Sequence, residues 1–129
     1  MNKKISIQGF EGCFHQVAAQ QYYGNDTEVI CCSTFKEVIK NTTADKKSDG
    51  GIMAIENSIA GSILPNYSLI VKNNVKIVGE VYLHIKQHLL VNPGVKLEDI
   101  KEVHSHPMAI LQCFGFLDNY NWKLVETED

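Results

Sequence analysis

The sequence predicts an α/β protein in which helices cover a parallel sheet. Three observations carry that prediction. Short β-rich runs alternate with segments of helical spacing along the chain. The joints between them hold glycine or a capping hydroxyl, as strand-to-helix connections do. Polar residues collect where the runs end, and no flat apolar face is apparent.

The elements follow in order. Ile5-Ser6-Ile7-Gln8 alternates like a short strand and runs into Gly9. From Phe14 to Tyr23, apolar residues at Phe14, Val17, Ala18 and Tyr22 recur at helical spacing, and Gly24-Asn25-Asp26 stops the helix. Glu28 to Cys32 is a second β-rich run. Ser33 or Thr34 then caps a helix from about Phe35 to Asn41. After the polar turn Lys46-Lys47-Ser48-Asp49-Gly50, the run Gly51 to Ile55 is too short for a core helix and reads as a buried strand. That makes β-α-β-α-β, a parallel arrangement.

Beyond it, Ile63 to Lys72 is helical and tolerates Pro65 in its first turn. Val75 to Val91 reads as one bent strand or two in succession, and Asn92-Pro93-Gly94 is a turn. Leu97 to Ile100 forms a single helical turn, Lys101 to Ser105 a strand, Pro107 to about Asn119 a helix, and Trp122 to Glu126 a last strand. A boundary near Asn73-Asn74 divides the chain into lobes 1–74 and 75–129. The chain stops directly after that last strand, where a helix N-cap is expected, so a truncated second lobe is anticipated.

Composition narrows the function. Hydrophobic residues make up 44% and charged residues 21%, the balance of a globular domain. A net charge of -3 leaves no basic patch, so nucleic acid is not an expected partner. No apolar run is long enough to span a membrane, and the N-terminus does not read as a secretion signal. Cys13, Cys31, Cys32 and Cys113 form no C-x-x-C pair, which suggests free thiols in a reducing, cytoplasmic setting. All 12 basic residues are lysine. Arginine is the usual bidentate partner of a carboxylate, so this stretch must bind an anion through backbone N–H groups, hydroxyls, amides or lysine.

Few segments can carry chemistry. Gly9-Phe10-Glu11-Gly12-Cys13 turns sharply into a helix whose free N–H groups could face an anion, although a glycine turn before a helix is more often just a turn. It is not the dinucleotide pattern G-x-G-x-x-G. Glu56, Asn57 and Ser58, followed by Gly61 and Ser62, lie where the third strand ends, a position at which α/β sheets gather ligands. Helix capping by Asn57 or Ser58 accounts for the same residues. His104 and His106 alternate along a strand and so share a face, but no further ligand has matching spacing, and a metal is not expected; a strand end with Ser105 or His106 near the cap of a helix begun by Pro107 accounts for the same residues. His84 and His88 are too far apart on an extended segment to chelate together. Cys13 at a helix start is a weak candidate nucleophile, and Cys113 falls on an apolar stripe with Ile110 and Leu117.

Taken together, the segments resemble the prephenate dehydratase family along essentially the whole chain. The resemblance rests on Gly9-Phe10-Glu11-Gly12-Cys13-Phe14, similar to G-x-x-G-[ST]-F, and on Ser33-Thr34-Phe35-Lys36-Glu37-Val38. It rests further on Ala54-Ile55-Glu56-Asn57-Ser58-Ile59-Ala60-Gly61-Ser62, similar to P-I-E-N-S-x-x-G-S with alanine for proline. Ile77-Val78-Gly79-Glu80 and Val103-His104-Ser105-His106-Pro107-Met108-Ala109 complete it.

The resemblance implies a type II periplasmic-binding-protein-like, two-lobed α/β architecture, here with an incomplete second lobe. It implies a lyase that converts prephenate to phenylpyruvate, with loss of water and carbon dioxide, in phenylalanine biosynthesis. No cofactor or metal is implied. Asn57, Ser58, Gly61, Ser62, Ser105 and His106 line or shape the substrate site, with Asn57 and Ser58 binding substrate and a helix N-terminus near Gly61 adding donors. A carboxylate facing a dianion is repulsive, so Glu56 is expected to make a structural hydrogen bond or form part of the wall.

The family's T-R-F motif, with its catalytic threonine and arginine, is absent, as is the regulatory ACT domain. Cys13 replaces the usual serine or threonine. The expected catalytic residues therefore lie beyond Asp129, and the chain is expected to be inactive alone. The competing expectation is a non-catalytic module binding an amino acid or carboxylate. An open strand edge invites pairing with a second copy, making a homodimer.

Overall fold

The computed structural model describes residues 2–128. It has a mixed α/β fold with parallel sheets and divides into two compact units, Met1–Ile85 and Lys86–Asp129.

In the first unit, β1 (Lys4–Gln8), α1 (Phe14–Tyr23), β2 (Glu28–Cys32), α2 (Phe35–Thr42) and β3 (Gly50–Gly51) follow one another. The sheet order is β2-β1-β3, with both pairings parallel. The central strand explains the core. Ile5 and Ile7 are fully buried and pack with Ala19 of α1, while Tyr23, Val29 and Ile52 close around them. Ser6 is also fully buried, and its hydroxyl donates to Ser48 Oγ at 2.8 Å, so that hydroxyl is not stranded in the sheet.

α2 begins as its residues dictate. Thr34 Oγ1 accepts from the Glu37 N–H at 3.2 Å, and Glu37 Oε2 accepts from the Ser33 N–H at 2.9 Å, a reciprocal arrangement close to a capping box. Its buried face presents Val38 and Ile39. Gly51 lies directly beneath: a Cβ there would meet Val38 Cγ1 at 2.7 Å, so a side chain would force Val38 out of its place.

The expected strand Gly51–Ile55 is shorter in the structure. Ladder pairing ends at Gly51, after which Ile52 N–H still donates to the Ser6 carbonyl at 3.0 Å. The next carbonyls are taken elsewhere. Asn66 Nδ2 donates to the Ala54 carbonyl at 2.7 Å, and Ile63 N–H to the Ile55 carbonyl at 2.8 Å. The chain then forms a small antiparallel hairpin, β4 (Glu56–Asn57) with β5 (Gly61–Ser62), followed by α3 (Leu64–Lys72). The expected strands of Val75–Val91 are also absent: among the described residues this stretch joins no ladder.

In the second unit a 3₁₀ turn (Leu97–Asp99) precedes β6 (Glu102–Ser105), α4 (Pro107–Gln112), α5 (Phe114–Leu117) and β7 (Lys123–Glu126). β6 and β7 pair in parallel, Glu102 opposite Lys123 through Ser105 opposite Glu126. The single helix expected from Pro107 to Asn119 breaks at Cys113 (φ −98°, ψ 5°), whose N–H turns back to the Ala109 carbonyl. Gly115, a poor helix former, follows within the next turn.

Candidate active site

The polar residues after β3 are gathered by the hairpin. Gly61 has φ +76°, a conformation that glycine alone adopts without strain, and this lets the turn Ser58-Ile59-Ala60 close in three residues. Asn57 Oδ1 accepts from the N–H groups of Ile59 (2.9 Å) and Ala60 (3.2 Å) and so holds that turn. Neither Asn57 nor Ser58 caps a helix, because α3 starts only at Leu64 and its N-cap is Ile63, without a side-chain bond. With Oδ1 occupied, the Asn57 Nδ2 donors make no hydrogen bond among the described residues. Ser58 and Ser62 are exposed beside it.

Glu56 is held from two sides. Its Oε1 accepts from the Tyr67 hydroxyl at 2.8 Å and from Ser62 Oγ at 3.3 Å. The carboxylate also keeps the Tyr67 hydroxyl protonated, pushing its pKa upward. Tyr67 and the buried Asn66 thus tie α3 to the hairpin and to the run before it. Sequence reasoning missed both, since nothing local relates position 56 to position 67.

The expected helix N-terminus does lie near Gly61, since α3 starts at Leu64, but it offers an anion little. Gly61 lies on β5, three residues ahead of α3. Pro65 has no N–H, and the N–H groups of Asn66 and Tyr67 both go to the Ile63 carbonyl. Few donors remain at that helix start for an anion.

In the other unit, Ser105 and His106 meet at the β6–α4 junction. Ser105 is half-buried, and its carbonyl accepts from the Thr127 N–H at 2.9 Å. His106 leaves the strand to become the N-cap of α4, its Nδ1 accepting from the Met108 N–H at 3.1 Å. It therefore does not continue the strand face of His104, as alternation had suggested. His104 Nε2 lies 3.0 Å from Glu102 Oε2, and this contact, with Lys123, holds the Glu102 carboxyl below its usual range. Among the described residues no three His, Cys, Asp or Glu side chains converge as metal ligands.

The first glycine loop has Gly9 at φ +115° and Gly12 at φ +89°. Cys13 is the N-cap of α1 but makes no side-chain cap, and all four cysteines are free. His15, on the first turn, has a buried Nε2 with no hydrogen-bond partner among the described residues. It packs edge-on against Phe35, and burial lowers its pKa.

The fold is mixed α/β with parallel sheets, and amide and hydroxyl groups stand at its strand ends. A family model for prephenate dehydratase matches residues 5–129, and the chain belongs to that family. It is 37% identical over 129 residues to arogenate dehydratase/prephenate dehydratase 1 of Arabidopsis thaliana, covering 98% of this chain and 32% of that protein. With a bifunctional chorismate mutase/prephenate dehydratase of Enterobacter agglomerans it shares 35% identity over 129 residues, 97% of this chain and 33% of that one. Arogenate dehydratase 2 of Petunia hybrida is 40% identical over 113 residues, 85% of this chain and 27% of that protein. The chain thus spans about a quarter to a third of the curated relatives it matches.

Among solved structures, a prephenate dehydratase of Arthrobacter aurescens in complex with L-Phe superposes with a TM-score of 0.71 at 25% identity, covering 98% of this chain and 42% of that one. GqqA, described as a novel type of quorum quenching acylase, superposes at 0.80 with 28% identity, covering 98% and 46%. No helix among the described residues is long and apolar enough to cross a membrane.

Proposed function

We propose that this protein serves the decarboxylating dehydration of prephenate, or of its close relative arogenate, in phenylalanine biosynthesis. In this reading the β4–β5 hairpin and the β6–α4 junction contribute substrate-binding walls, within a type II periplasmic-binding-protein-like, two-lobed architecture. The observation that carries it is Asn57: its oxygen is committed to the turn while its amide donors stay uncommitted beside Ser58 and Ser62. Donors held in place in this way suit a carboxylate, and they need no reorganisation when the substrate loses its hydroxyl and carboxyl groups. The Tyr67 and Ser62 hydroxyls draw Glu56 away from an anionic ligand, leaving it a structural part. Ser105 and His106 are the second wall, and no cofactor enters.

The chemistry also needs an acid for the leaving hydroxyl and a strong anion clamp. With lysine its only basic residue, this stretch does not supply the clamp. We assign the threonine and arginine of the family motif to sequence outside these 129 residues, so the chain alone is inactive. A homodimer and a cytoplasmic setting, consistent with the four free thiols, complete the reading.

Titrating the ¹⁵N-labelled chain with prephenate tests the site. Amide shifts concentrated at Asn57 to Ser62 and at Ser105-His106 are expected at millimolar ligand. Shifts confined to other segments, or none, would remove the assignment. The lack of arginine favours one second reading, a binding module for an amino acid or carboxylate; saturable binding of L-phenylalanine at the same residues, without prephenate binding, would select it.

A further inference from the structure

The two helices of the first sheet meet at its carboxyl edge through an aromatic contact. On β1, Ile5 and Ile7 pack with Ala19 of α1, while Ser6 between them reaches Ser48, which lies 3.3 Å from Thr42 of α2. Alternation along the strand therefore puts α1 and α2 on opposite faces. Their first turns come together past the strand ends. There the His15 ring of α1 stands edge-on to the Phe35 ring of α2, with centroids 5.3 Å apart at 70°, and both side chains are half-buried.

This contact suits a neutral imidazole only. Among the described residues His15 Nε2 is shielded from water and has no hydrogen-bond partner. A neutral ring can leave a lone pair there. An imidazolium carries an N–H on each nitrogen, so protonation strands a charged donor at Nε2. The surroundings offer no opposite charge. The titratable and charged groups near the ring in the sequence of its neighbours are Glu11 and Cys13 on the turn, Cys31 and Cys32 on β2, and Lys36 and Glu37 on α2. None of them pairs with His15: Cys13 Sγ lies 3.8 Å from the Gln8 carbonyl, Cys32 Sγ accepts from Asn41, and Glu37 Oε2 accepts from the Ser33 N–H. The Gln8 main chain alone favours the proton, and burial outweighs it.

The turn beside the ring is built to move. It has glycines at positive φ at positions 9 and 12, Cys13 gives α1 no side-chain cap, and Phe10 at its tip is exposed. Its main-chain tie to the sheet is the Gly9 N–H on the Cys32 carbonyl at 3.0 Å. A segment with few ties opens at lower cost than the core beneath it.

We propose that His15 and Phe35 form an acid-sensitive clasp: protonation of His15 drives its ring from Phe35 and frees the β1–α1 turn, while the sheet and its core stay folded. The clasp is independent of the dehydratase reading. Its sign follows from burial. The released ring titrates near the ordinary histidine value of about 6.5, and the clasped ring titrates lower. The clasp is therefore fully formed above about pH 6.5 and weakens as pH falls toward the clasped value. One proton is taken up, so opening rises by up to about tenfold per pH unit.

The test is NMR on the 129-residue chain between pH 7.5 and 5, following imidazole resonances and amide protection factors in the wild type and in His15→Phe. The His15 resonance, assigned by its loss in the variant, should titrate below about 6.5. Protection at Phe14 to Val17 should fall with pH in the wild type, while Ile5, Ile7 and Ala19 keep theirs. In His15→Phe, which keeps a ring against Phe35 and cannot titrate, the first-turn amides should lose that dependence. A His15 that titrates as a free histidine, with first-turn amides indifferent to pH, overturns the clasp. So does loss of core protection in step with the turn, which is general unfolding. If the variant fails to fold, the wild-type titration decides alone.

Discussion

Asn57→Asp is expected to lower kcat/KM for prephenate by about 10²-fold in a chimaera whose matched stretch in the Enterobacter agglomerans enzyme is replaced by residues 5–128. The substitution keeps an oxygen where Oδ1 accepts from Ile59 and Ala60, so the turn survives. It removes the amide donor and places a negative charge beside a dianionic substrate. A hydrogen bond to a charged group contributes about 1.5–3 kcal/mol, and the new repulsion adds to its loss. Thermal unfolding should be nearly unchanged, which separates a binding role from a structural one. Asn57→Ala cannot make that distinction, because it loses the turn as well. An Asp variant with undiminished kcat/KM would leave Asn57 a turn residue only.

Ile7→Ala should destabilise the chain by about 2–5 kcal/mol, the range for truncating a buried isoleucine. Ile7 is fully buried on the central strand and packs with Ile5 and with Ala19 of α1, and the parallel register with β2 holds Ile5 in place. Against a total stability of about 5–15 kcal/mol, that loss is large. Urea unfolding reads it as a lower midpoint at unchanged slope. Val71→Ala, at a position 80% exposed on α3, is the control and should cost about 0.5 kcal/mol or less. Equal midpoints for the two variants would mean that the core lies elsewhere.

Regular local signals made much of this fold legible. The apolar spacing from Phe14 to Tyr23 and the stop at Gly24 correspond to α1 as observed, and Thr34 caps α2 through a rule three residues long. Pro107 stands at a helix start for the same reason, since a missing N–H costs nothing there. The hairpin was not legible, because two strands of two residues have no period to read. Its shape comes from Gly61 at positive φ and from Asn57 bonding its own turn. Asn66 and Tyr67 were missed because their partners, Ala54 and Glu56, lie 12 and 11 residues away across that hairpin. Val75–Val91 failed in the opposite sense: the periodicity is real, but a strand also needs a neighbour, and its own sequence does not name one. The family was legible because it is written in several spaced motifs, and a match over residues 5–129 bears that out.

In the proposed function these residues furnish substrate-binding walls while the arginine and the acid come from outside them. The direct measurement is phenylpyruvate formation from prephenate, read as absorbance in alkali, for the 129-residue chain alone and for the folded chimaera in parallel. No turnover by the chain and clear turnover by the chimaera are expected. Turnover by the chain alone would place the acid and the anion clamp among its own lysines, hydroxyls and histidines. A folded chimaera without activity would show that the hairpin and the β6–α4 junction do not form a dehydratase site.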